Sequence, residues 1–151
     1  LGESALYALL FGGVVGTATQ WVVEGVGVRL AAGEGVMGTL PLREGIVLSL
    51  GAGIYEELLF RVLLAGGLFV LFRQSGLPRL RAGVFATLVS ALAFSAFHYV
   101  GPYGDPWALP SFTFRFLAGL AFSALFLVRG FGIAAWTHAL YDVFLLLARA
   151  G

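Results

Sequence analysis

Apolar and polar positions along this chain fall into long blocks, not into the short alternations of strands. Five apolar stretches, 5–23, 46–72, 82–100, 112–128 and 131–148, are separated by segments carrying Arg, Glu, Pro and Gly. Each is about as long as a helix must be to cross the hydrocarbon core of a bilayer, roughly 17 to 25 residues. A segment in lipid has to satisfy its own backbone hydrogen bonds, and a helix does so internally. No segment shows the period-two pattern of a half-buried strand. The pattern predicts an all-α protein, a polytopic transmembrane helical bundle of about five membrane helices. The stretch 24–45 carries Glu24, Arg29, Glu34, Pro41, Arg43, Glu44 and several Gly, and reads as a loop with room for an interfacial helix. A second loop, 101–111, holds Trp107 as an interface-type anchor. Residues 1–151 read as one domain, with the core at about 45–148.

Composition sharpens this picture. Hydrophobic residues make up 60% of the chain and charged ones only 11%, against roughly 25% charged in soluble domains. The nine basic residues are all Arg and the net charge is +1, so there is no basic patch of the kind a nucleic-acid partner needs. Absence of Cys excludes disulfides, thiolate metal ligands and a cysteine nucleophile. Many of the 22 Gly lie inside apolar stretches, where small residues let helices approach closely in lipid. Arg73, Arg79, Arg81 and Arg129 fall on one side of the predicted bundle and Arg29, Arg43 and Arg149 on the other. The positive-inside rule therefore leaves orientation open. The first residues do not read as a cleavable signal peptide. An Arg- and Gly-rich, Lys-free membrane protein suits a high-GC bacterium, and the expected location is a bacterial inner membrane.

Against this apolar background the ionisable residues stand out. Within the predicted crossings they are Glu56, Glu57, Arg61, His98, Arg115, His138 and Asp142. Each is costly at membrane depth, and such residues mark functional sites or deliberate pairs. Glu57 and Arg61 lie four apart, share a helical face and can pair; Glu56 points about 100° away and is left free. His138 and Asp142 are also four apart. Counting rise per residue puts Glu56, His98 and His138 in the half of the membrane facing the 24–45 loop. Two carboxylates and two imidazoles brought together are what activation of a water requires. Bland readings exist for each member alone: a structural ion pair, a histidine bonded to a neighbouring helix, an aspartate gluing two helices, and Arg115 snorkelling to headgroups. They weaken when four costly residues share a depth.

Motifs of other intramembrane proteases are missing. There is no His-Glu-x-x-His string for a zinc protease. Ser49, Ser90, Ser95 and Ser123 lack a rhomboid-type setting. Tyr141-Asp142 could supply half of an aspartyl dyad, but the only other aspartate, Asp105, lies in the 101–111 loop.

The chain resembles the CPBP family, which includes CAAX prenyl endopeptidases and the bacteriocin-processing Abi proteins. Glu56, Glu57 and Arg61 match its Glu-Glu-x-x-x-Arg motif, and Phe94 and His98 its Phe-x-x-x-His motif. Phe116, Gly119 and Leu120 match a loose third pattern, and His138 and Asp142 a fourth, His-x-x-x-Asn/Asp. The resemblance implies a glutamate-dependent intramembrane endopeptidase. It would make Glu56 the general base, give His98 a positioning role, and turn His138 and Asp142 toward the scissile carbonyl. Glu57 and Arg61 would be the supporting pair. Where the prenyl endopeptidases typically have Asn, this chain has Asp142, which donates to an oxyanion only when protonated and otherwise orients His138. No cofactor is required by this reading, although Glu56, His98 and His138 would be the ligands if zinc were bound. The implied partners are the lipid bilayer and a membrane-anchored protein or peptide, cut near a C-terminal or membrane-anchoring segment, as in the myxosortase-like branch. The alternatives are a zinc-dependent CAAX protease, a non-enzymatic immunity or scaffold protein, and a proton relay.

Overall fold

The computed structural model describes residues 1–25, 41–101 and 104–150. Among them every regular element is helical: α1 (Gly2–Gly25), α2 (Leu42–Glu57), a π-helical segment (Leu58–Ala65), α3 (Gly66–Gln74), α4 (Arg79–Phe97), α5 (Leu109–Arg129) and α6 (Phe131–Ala150). The backbone stays helical through Glu57, Leu58 and Gly66, so residues 42–74 form one rod with a wide π turn at its centre. The five predicted crossings thus correspond to five rods. Four helices are long and apolar enough singly to cross a membrane: Gly2–Gly25, Arg79–Phe97, Leu109–Arg129 and Phe131–Ala148. The π segment divides the remaining rod into shorter pieces.

Rod boundaries follow local chemistry where hydropathy alone placed them differently. The second rod begins at Leu42, not Ile46, because Pro41 presets the first turn and exposed Arg43 and Glu44 can sit in it. Pro78 starts α4 in the same way, and Pro110 lies in the first turn of α5. The third crossing ends at Phe97 rather than Val100. The Tyr99 and Val100 amides turn back onto Ala96 and Phe97, and the Asp105 amide closes on the His98 carbonyl at 2.9 Å. Between α5 and α6 a single residue, Gly130, reverses the chain at φ +82°, a conformation that favours glycine. Of the expected 24–45 loop, Glu24 and Gly25 close α1 and residues 42–45 open α2, while 26–40, with room for the interfacial helix, lie outside the described residues.

Packing is that of a membrane bundle. Buried positions are dominated by Ala and Ser, whereas Leu9, Val14 and Trp21 on α1 are more than 60% exposed. Small residues bring backbones together, and large apolar ones are left to face lipid. The tightest approach joins α2 to α6, where a Cβ on Gly53 would lie 2.4 Å from the Ala139 amide nitrogen. Gly45 meets Leu146 further along, so these two helices run antiparallel. On the other side Phe11 of α1 stacks on Phe122 of α5 at 4.1 Å.

Candidate active site

The close contact of Gly53 with Ala139 sets the site. One turn on from Gly53 is Glu57, and beside Ala139 is His138, so the Glu57 carboxylate meets the His138 ring (Oε1 to Nδ1, 2.9 Å). Glu57 is fully buried, and its other oxygen stands 3.0 Å from Nε of equally buried Arg61. The N–H direction misses that oxygen, so this contact is ionic and not a hydrogen bond. The guanidinium also donates to the Gly119 carbonyl (3.2 Å) and lies over the Phe94 ring at 4.4 Å. The cation is thus held by a carboxylate, a carbonyl and an aromatic face, as a buried charge requires. The π turn is stabilised from α4, where Ser90 donates to the Phe60 carbonyl at 2.5 Å.

Both histidines have their tautomers fixed by these surroundings. Ionised Glu57, paired with Arg61, can only accept, so His138 Nδ1 donates to it. His98 Nδ1 lies 2.9 Å from the Phe94 carbonyl, which likewise only accepts. Each neutral ring therefore presents Nε2 as an acceptor. Both Nε2 atoms face the same Glu56 oxygen, Oε2, at 3.7 Å from His98 and 3.9 Å from His138. Asp142 Oδ2 lies 3.6 Å from His138 Nε2. Glu56 Oε2 is buried and has no hydrogen-bond partner. Polar groups at such separations are too far apart for a direct hydrogen bond, and a small donor such as water is what would join them.

Aromatic rings wall this cluster. Phe122 stacks on His138 (4.4 Å, 19°), and Phe94 meets both His98 and His138 edge-on. Phe94 is therefore a shared wall for Arg61 and both imidazoles, a role its place in a sequence motif did not reveal.

All six predicted site residues, Glu56, Glu57, Arg61, His98, His138 and Asp142, meet in this one cluster. Arg115 does not snorkel to headgroups. It forms an ion pair with Asp105, and its guanidinium lies 5.1 Å from the centre of the Tyr99 ring. A loop aspartate in the preceding segment looked unrelated in the sequence, and the hydrogen bond from its amide to the His98 carbonyl brings it back. Imidazole and carboxylate donors are chemically suited to zinc. Among the described residues, however, no three His, Asp or Glu side chains close into metal-holding geometry.

A bundle of apolar helices encloses a buried carboxylate–imidazole cluster at membrane depth. Residues 38–144 match the model of the type II CAAX prenyl endopeptidase Rce1-like family, and the chain belongs to that family. It is accordingly an integral membrane protein and a CAAX-type protease that acts on membrane-anchored substrate in a lipid environment. The matched span contains all six clustered residues. No curated protein and no solved structure matches the chain.

Proposed function

We propose that the protein is a glutamic-type endopeptidase in which Glu56 activates the attacking water. The observation that carries this reading is the unpartnered Glu56 Oε2, facing two imidazole Nε2 atoms that accept when the rings are neutral. A water there donates one hydrogen to Glu56 and the other to an Nε2, leaving an oxygen lone pair for the scissile carbonyl. As the oxygen attacks, its proton passes to Glu56. The carbonyl oxygen takes up negative charge, and protonated Asp142 donates to it in the role an Asn would otherwise fill. Glu56 then gives its proton to the leaving amide nitrogen, the C–N bond breaks, and the carboxyl carries the water oxygen. Glu57 and Arg61 keep His138 in the tautomer this scheme needs. The substrate is a protein or peptide cut near its C-terminal, membrane-anchoring segment, in a bacterial inner membrane.

The test is cleavage of membrane-anchored CAAX-type peptides by the purified protein in liposomes, read by mass spectrometry with and without a strong chelator. Cleavage near the C-terminal segment that survives chelation is the expected result. Loss on chelation with rescue by zinc would move Glu56, His98 and His138 to ligand roles. A folded protein that cuts no such peptide would favour a scaffold or relay.

A further inference from the structure

Among the described residues, Arg115 is the cation near the cluster to which the proteolytic scheme gives no task. It lies on α5 four residues before Gly119, the residue whose carbonyl receives Arg61, so both share one helical face. The side chain is four-fifths buried and is fixed from two sides, by the Asp105 carboxylate on Nη2 and the Tyr99 ring beneath it. Its second nitrogen, Nη1, is buried with no hydrogen-bond partner, and so is the Tyr99 hydroxyl. The mounting is rigid as well. Asp105 is tied to the His98 carbonyl, Ser95 donates to the Phe112 carbonyl at 2.7 Å, and the Tyr99 and Phe112 rings pack 6.2 Å apart. A Cβ on Gly104 would lie 2.8 Å from the Tyr99 backbone, so the turn is closely wound.

Buried donors without partners cost free energy unless something accepts from them. Here two of them, one cationic, belong to one small assembly beside the reacting groups. The ligand chemistry that answers both is a carboxylate, which guanidinium donors bind with charge-assisted hydrogen bonds. A peptide cut close to its C-terminus carries such a group within a few residues of the scissile bond. We infer that Arg115, with Tyr99, is a substrate-binding residue that receives the C-terminal carboxylate of the peptide. This rests on the proteolytic reading above. It would make the enzyme measure distance from the chain end, with the Asp105 pair holding the guanidinium in place between turnovers.

Equilibrium binding tests it independently of turnover. The probe is a dye-labelled prenylated CAAX peptide in two forms, free acid and carboxamide, titrated onto Glu56→Gln protein in lipid nanodiscs. The acid form is expected to bind about 10- to 100-fold more tightly than the amide, the range of a charged hydrogen bond. Arg115→Gln should remove that preference by weakening only the acid form, and Arg115→Lys should restore part of it. Thermal unfolding of each variant checks that the bundle is intact. Equal binding of acid and amide by the parent, or a preference unchanged in Arg115→Gln, would overturn the inference. A third peptide, amidated but ending in glutamate, separates the sources: tight binding of it would place the recognised carboxylate on a side chain and overturn the C-terminal assignment. Peptide cleavage by Glu56→Gln in the same samples would instead count against the glutamic mechanism, so the two failures are distinguishable.

Discussion

Replacing Glu57 by Gln removes the carboxylate that, among the described residues, is in contact with Arg61, which is 2% exposed. The guanidinium would keep the Gly119 carbonyl and the Phe94 face, neither carrying a full charge. Removing one partner of a buried ion pair costs about 3–5 kcal/mol because the other charge is left uncompensated. A denaturant titration in mixed micelles, followed by circular dichroism, should show a stability loss of that size for Glu57→Gln and for Arg61→Met singly. The double variant should recover most of it, since no lone charge remains, giving a large coupling in the double-mutant cycle. Activity should not recover with stability, because the His138 tautomer would no longer be set by an ionised carboxylate. Two outcomes would refute the reasoning: single variants within about 1 kcal/mol of the parent, the range of an exposed pair, or additive effects in the double variant.

Other expectations follow from individual contacts. Gly53→Ala drives a Cβ into the Ala139 backbone, which cannot step aside, so it should cost about 1–3 kcal/mol or more and should lower cleavage by moving Glu57 off His138; unchanged stability in thermal unfolding would contradict the packing described. Ser90→Ala strips the donor from the Phe60 carbonyl and should destabilise the bundle by about 1–3 kcal/mol in the same titration. Asp142→Asn should keep cleavage, since the amide donates without titrating. An Asp142→Asn variant with no activity would reverse the donor role.

The helices were legible because membrane crossings impose length, and length survives in the sequence as runs of apolar residues. The six cluster residues were legible for a related reason: a charge inside such a run is expensive and therefore conspicuous. The π turn was not, because Leu58–Ala65 is apolar apart from Arg61 and its hydrogen-bond slip is supported by a serine on another helix. Arg115 was misread because a cation near a helix end looks the same whether it reaches headgroups or a loop carboxylate. Phe122 was hidden among 14 Phe and Phe94 was visible only as part of a motif, and only the packing shows which rings touch the histidines. The contact of Gly53 with Ala139 was equally silent, as one glycine among many.

The claim on which the account turns is that Glu56 activates the water. The most direct measurement compares cleavage rates of parent and Glu56→Gln in the same liposomes at matched folded protein. The amide keeps the shape of the side chain but cannot take the proton, so the rate should fall by about 10²- to 10⁴-fold with peptide binding little changed. A Glu56→Gln protein cutting within a few-fold of the parent rate would contradict the account.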